Sequence, residues 1–219
     1  MGSLFSLDSP LMRGMSKIAD LLILNLLVIL TCIPIITVGA SMSAMHYVLI
    51  KLSRNEGTSV VQMYFKSFKE NFGQGTVLWL VNIVAVAVFA LDVYLFFFTK
   101  NTIPVLVFWV VVAVGILILM TCMYFYPLQA RFINPVGRTI KNSFLIMILN
   151  FPKSIVMFIL YLLPIAVVFV AFFMIPFVVM FGFTAPGYAA ALLYKKVFMK
   201  LEPKQEEAAA DMDFHVDMD

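Results

Sequence analysis

Charge is scarce in this chain. Only 12% of its 219 residues are Asp, Glu, Lys or Arg, about half the roughly 25% usual in soluble domains. That leaves too little polar surface to cover a water-soluble globule, which excludes a soluble enzyme and a charged, disordered regulator. Cysteine is nearly absent. Cys32 and Cys122 sit inside apolar runs and form no C-x-x-C pair, which excludes a disulfide framework and a zinc site. Recognisable catalytic motifs are missing too. The chain has no Walker loop, no G-x-S-x-G and no H-E-x-x-H. It also has no pair of carboxylates at a fixed helical spacing within an apolar run. The sequence therefore predicts no catalytic residue, no cofactor, no metal, no nucleotide bound by this chain and no nucleic-acid partner.

Apolar sequence is abundant. Hydrophobic residues make up 63% of the chain and its mean hydropathy is +1.02. A spanning helix needs about 20 apolar residues to cross roughly 30 Å of hydrocarbon. The unbroken runs favour helices over the alternating strands of a barrel. The expected fold is an all-α polytopic membrane protein. About six segments form three helical hairpins, with interfacial amphipathic helices between them. Expected spans are 18–36, 37–52, 76–98, 104–126, 154–176 and 177–199, all within one transmembrane domain, 1–201. The first run reads as a retained anchor rather than a cleaved signal peptide.

Basic residues set the threading. They cluster before 18, in 51–75, in 127–153 and after 195, with Lys100 alone elsewhere. If the short segments 37–52 and 177–199 cross, fourteen of the fifteen fall on the cytoplasmic side. Both termini then lie in the cytoplasm, and the hairpin tips beside Pro34, Pro104 and Pro176 face outward. A competing layout has 140–151 cross as a short helix, 154–181 return, and 186–199 lie on the cytoplasmic surface.

Two interfacial helices are expected, at 60–72 and 138–151. In the first, Val61, Tyr64, Phe65, Phe68 and Phe72 recur at helical spacing, with Lys66, Lys69 and Glu70 on the other side. The two helices end alike, in Asn71-Phe72-Gly73 and Asn150-Phe151-Pro152. The offset is 79 residues, and it places Phe65 on Phe144. This reads as a weak internal duplication in parallel orientation. Seven of the twelve acidic residues crowd into 202–219, a tail expected to be disordered or weakly helical.

Few polar groups lie within the spans. Asn25, His46, Asn82 and Asp92 are the candidates, either as interhelical hydrogen-bond partners or as the lining of a polar cavity. Asp20 reads as a partner of Lys17 or Arg13 near the helix start. Gly39 with Ser43, and Ala44 with Ala40, have the four-residue spacing that lets helices approach closely. Gly39, Ser43 and Ala44, with Phe65, Phe68 and Phe72 of the 60–72 helix, are therefore the candidate residues for packing against a partner.

Several of these residues make one larger pattern. Ile33-Pro34 and Thr37-x-Gly39 lead to Ala44-x-x-Tyr47-x-x-x-Lys51. Glu56-Gly57 then precedes Phe65-x-x-Phe68-Lys69-x-Asn71-Phe72. This resembles the YesL family of bacterial membrane proteins, most strongly over residues 1–80. The resemblance implies a five- or six-helix protein of the bacterial inner (cytoplasmic) membrane. It further implies an accessory role beside carbohydrate ABC importers, with permease subunits as partners and the lipid bilayer as surroundings. It supplies no catalytic residues. The acidic tail departs from the pattern, and the resemblance implies nothing about it. The alternative reading is a small stand-alone transporter or channel, with its site between the short Gly/Pro-interrupted helices.

Overall fold

The structure, a computed structural model, describes residues 10–56, 59–98, 104–132 and 134–216. These residues form α-helices joined by turns: α1 (Pro10–Cys32), α2 (Val38–Ser53), α3 (Val60–Glu70), α4 (Phe72–Phe98) and α5 (Val105–Cys122). There follow α6 (Phe125–Arg131), α7 (Val136–Leu149), α8 (Phe151–Val170), α9 (Ile175–Phe181) and α10 (Thr184–Val216). Among the described residues there is no strand. Five segments are long and apolar enough to cross a membrane: Gly14–Cys32, Ile35–Ser53, Phe72–Phe98, Val105–Arg131 and Phe151–Val170. A sixth arises if α9 and the first part of α10, bent by 48°, count as one span. The chain is an all-helical protein built for a bilayer.

Prolines account for the breaks. A helical proline has no N–H and crowds the carbonyl four residues earlier. Pro127 strikes Met123, where α5 gives way to α6, and Pro186 strikes Gly182, where α9 gives way to α10. Asn71 and Asn150 serve the other breaks. Asn71 Nδ2 donates to Ser67 O at 2.9 Å, and Asn150 Nδ2 donates to Ile146 O at 3.2 Å. These two contacts occupy the same places in the 79-residue offset, on the partners it pairs. After α2, Asn55 takes φ 55°, which suits Asn, and the Glu56 N–H closes back on Lys51 O at 2.9 Å.

The core gathers around α2, which touches α1, α3, α4, α6 and α10. Its small residues allow this. A Cβ built on Gly39 would fall on the Gly75 carbonyl oxygen of α4, and one built on Gly75 would lie 2.8 Å from Ala40 N. Leu24, Val28, Tyr64, Tyr124, Met157, Tyr194 and Phe198 close around the same helix. The outer lengths of α4, α5 and α8 are mostly exposed apolar surface, as lipid-facing helices should be.

Two expectations change. Pro34 does not share an end of the bundle with Pro104. Thr76 Oγ1, in the first turns of α4, donates to Ile36 O at 3.3 Å, so the α1–α2 turn sits against the start of α4. Pro104 lies at the far end of the α4/α5 hairpin, where Phe96 stacks on Phe108. Tyr64 also differs from its expected place in the headgroup boundary. It is fully buried, with α3 turning Val60, Met63, Tyr64 and Ser67 inward and Val61 and Phe65 outward; Phe72, the first residue of α4, is exposed too. α10 stays helical to Val216, into the acidic segment; Glu, Lys, Gln and Ala are good helix formers. Residues 217–219 lie outside the described residues.

Candidate functional site

Among the described residues, buried polar groups hold the helices together in several places, four of which hold the candidate residues or their neighbours. The first joins α1, α2 and α3. The Tyr64 hydroxyl lies 2.5 Å from Thr31 Oγ1 and 2.7 Å from Ser41 Oγ, and Thr31 Oγ1 lies 2.8 Å from Ser41 Oγ. Thr31 also donates to Leu27 O at 2.8 Å. A closed hydroxyl triangle of this kind leaves no buried donor stranded.

The second is Asn25, which serves the α9–α10 break. Its Nδ2 donates to Val179 O at 2.7 Å. Its Oδ1 accepts from the Phe183 and Thr184 N–H groups, each at 3.2 Å. The first N–H groups of any helix lack partners within it, and inside a bilayer water cannot replace them. Asn25, 1% exposed, supplies that partner. Of its two readings, the geometry supports the interhelical one.

The third joins α2, α3 and α6. Ser43 Oγ lies 3.0 Å from Gly39 O and 3.2 Å from Gln129 Oε1, two acceptors for its one proton, and Gln129 Nε2 donates to Asn71 O at 3.4 Å. The fourth is His46, 3% exposed, with Nδ1 3.0 Å from the Tyr194 hydroxyl and Nε2 3.5 Å from that of Tyr161.

His46 is also on the wall of a cavity of about 590 Å³ between α2, α4, α5, α8 and α9. Asn82 lines it from α4, its Nδ2 3.4 Å from the Tyr126 hydroxyl. The remaining wall is mostly apolar, with Met42, Met45, Leu119, Phe158 and Ile165 joined by Cys122, Tyr126 and Tyr161. Pro164 and Gly182 place two helix irregularities at its edge. Such a space suits an apolar molecule with one or two hydrogen-bonding groups. It offers no nucleophile paired with a base. Among the described residues no three His, Cys, Asp or Glu side chains are grouped to hold a metal ion.

The structure thus brings His46 and Asn82 to one cavity and leaves two other candidates elsewhere. Asn25 is at the α9–α10 break. Asp92 is ten residues beyond Asn82 on α4, about 15 Å further along at 1.5 Å per residue. Gly39, Ser43 and Ala44 are buried within the chain's own core. Their small side chains permit the α2–α4 crossing and are closed to a partner, which corrects that part of the expectation. Phe65 and Phe72 are 41% and 42% exposed, and Phe68 is half-buried, its ring 5.9 Å from that of Phe72. No sequence motif marks Tyr161 and Tyr194, the two residues that meet His46. The available signal was a hydroxyl-bearing ring inside each of two apolar runs.

Residues 21–93 match the model of DUF624, a protein family of unknown function. The match runs from α1 through most of α4, the part that holds the hydroxyl triangle, the Gly39–Gly75 crossing and the α3 aromatic stripe. It is consistent with the resemblance to YesL proteins. No curated protein and no solved structure matches the chain.

Proposed function

We propose that this chain is a non-enzymatic accessory subunit of a bacterial carbohydrate import system, held in the inner membrane and packed against permease subunits. The observation that carries the reading is the outward stripe of α3. Val61 and Phe65 of α3, with Phe72 at the start of α4, are exposed beside Lys66 and Lys69, while the opposite face of α3 is locked into the core. A rigid helix that presents aromatic rings is a good docking element. The resemblance to YesL proteins supports the choice of partner. Mild-detergent purification of the tagged protein should recover permease subunits, and Phe65→Ala with Phe72→Ala should lower that recovery severalfold without lowering the yield of the protein. Isolation of the protein alone, together with normal sugar uptake in a deletion strain, contradicts the proposal.

The cavity favours a second reading, a small stand-alone transporter for a largely apolar solute. His46 and Asn82 would orient the solute. Solute flux in vesicles containing only this protein, reduced by His46→Leu, would support that reading over the first.

A further inference from the structure

We infer that α1 and α10 leave the membrane on opposite faces, and that α2 and α3 form an inner layer on one face instead of a crossing and a surface helix. The α4/α5 hairpin gives the reference axis. Its far end is marked by Phe96 stacked on Phe108, with centroids 3.7 Å apart. Its near end is marked by Gln129 beside the Asn71 carbonyl at 3.4 Å.

Both ends of α2 lie toward the near end. At its start, Ile36 meets Thr76 and Gly39 meets Gly75. One turn on, Ser43 meets Gln129. At its finish, the Ser53 carbonyl accepts from Lys195 Nζ at 2.8 Å, and one turn beyond Lys195 the Phe198 ring lies 5.5 Å from that of Phe132, just past α6. A helix that crossed the bilayer would separate its ends by roughly 30 Å. α2 has the composition of a span, but it lies across the foot of the hairpin.

α1 then has one possible direction. Thr31, near its end, bonds Ser41 and Tyr64 in the inner layer. Asn25, six residues earlier, bonds the α9–α10 break, whose Val178, Gly182 and Phe183 line the cavity with Asn82 and Leu119. α1 therefore descends from the far face to the near one. α4 rises, α5 descends, α8 rises from Ser154 beside Tyr124, and α9 with α10 descends to Phe198. Five crossings leave the two ends of this path on opposite faces.

The matching helix junctions agree with this path. α1–α2–α3–α4 and α5–α6–α7–α8 share an order of span, intervening helix, second helix closed by Asn-Phe, and rising span, with 16 residues in α2 and 7 in α6. Their capping asparagines match in geometry. Phe65 and Phe72 are exposed, and so are their counterparts Phe144 and Phe151, at 50% and 42%. Parallel repeats require α1 and α5 to run the same way.

Charge assigns the faces. Lys51, Arg54, Lys66, Lys69, Arg131, Arg138, Lys141, Lys153, Lys195, Lys196, Lys200 and Lys204 follow or flank the near ends, twelve of the fifteen basic residues. The near face is cytoplasmic by the positive-inside rule. Arg13 and Lys17 then lie toward the outer face. The three-hairpin layout places two more cations inside, but it needs Ile36 and Thr76 on opposite faces, against a 3.3 Å contact.

Single cysteines test this in a Cys32→Ala, Cys122→Ala background. Gly14, Asn55 and Lys153 are exposed, and a Cβ on Gly14 meets nothing within 4 Å. A membrane-impermeant maleimide applied to intact cells should label Gly14→Cys, and should label Asn55→Cys and Lys153→Cys only after permeabilisation. A carboxy-terminal fluorescent fusion, read by size-exclusion profile, checks that each variant is folded. Gly14→Cys and Asn55→Cys reacting from the same side in folded protein overturns the inference.

Discussion

Gly39 and Gly75 bring the backbones of α2 and α4 into direct contact. A Cβ on Gly75 would lie 2.9 Å from the Gly39 carbonyl carbon and 2.8 Å from Ala40 N. No rotamer change relieves a clash with main chain. Gly39→Ala and Gly75→Ala should each destabilise the protein by about 1–3 kcal/mol, the usual cost of overpacking a core. Gly73→Ala and Gly137→Ala, where a Cβ meets nothing within 4 Å, should be neutral or slightly stabilising. Thermal unfolding of the four variants in detergent checks the contrast, with equal midpoints as the result that removes this contact from the account.

Asn25→Leu should cost more than an ordinary apolar swap. It leaves Val179 O and the Phe183 and Thr184 N–H groups without their partner in the middle of the bundle. Each stranded group costs about 1–3 kcal/mol. Asn25→Asp keeps the acceptor and loses the donor to Val179 O, and it places a charge among apolar side chains, so it should also be poorly tolerated. Amide exchange in the α9–α10 segment should rise in both variants, and unchanged protection there would show that Asn25 does not secure the break.

Tyr64 gives a pH dependence. Burial pushes its phenol above the ordinary value of 10.0, partly offset by its hydrogen bonds with Ser41 and Thr31. An acid whose folded-state pKa is raised holds its proton more tightly when folded. Its stabilising contribution is intact below the unfolded value and is lost as pH rises through the folded one. Wild-type stability should therefore fall above pH 10, and Tyr64→Phe should reduce that fall. The same variant should lose about 1 kcal/mol at neutral pH from the broken hydroxyl triangle. Parallel stability–pH curves for the two proteins would contradict this.

How far could the sequence be read? Long apolar runs locate α1, α4, α5 and α8, because hydrocarbon thickness imposes their length. The prolines mark where helices break, since Pro127 and Pro186 act on residues four places earlier. Asn71-Phe72 and Asn150-Phe151 reveal the duplicated junctions. The role of α2 was not legible. Its small, apolar residues read equally as a span, an interface or a core helix. Basic residues report only on loops, and a loop can satisfy the charge rule while the helix before it lies across the bundle. The Ile36–Thr76 contact favours the core placement inferred above, and it joins residues that no local pattern connects. The same holds for the site. His46 and Asn82 stood out as polar residues in apolar runs, but Tyr161 and Tyr194 belong to the cavity region only because α8 and α10 fold back on α2.

His46 should matter more to the cavity than to the fold. His46→Leu removes the contacts with the Tyr194 and Tyr161 hydroxyls, yet fills a similar space. A modest stability loss of about 1–2 kcal/mol is expected from the two freed hydroxyls. Binding of a fluorescent, largely apolar probe that carries one hydrogen-bonding group should weaken severalfold. Unchanged probe affinity would mean that the cavity of about 590 Å³ is not the probe's site.

The most direct test of the account is cross-linking in native membranes between the α1–α2 turn and each end of the α4/α5 hairpin. In a Cys32→Ala, Cys122→Ala background, the Ile36→Cys/Thr76→Cys pair should join efficiently with a short bis-maleimide, as the 3.3 Å contact between these residues requires. The Ile36→Cys/Val105→Cys pair should not. Cross-linking of Ile36→Cys to Val105→Cys, with none to Thr76→Cys, would put the turn on the far face and contradict the account.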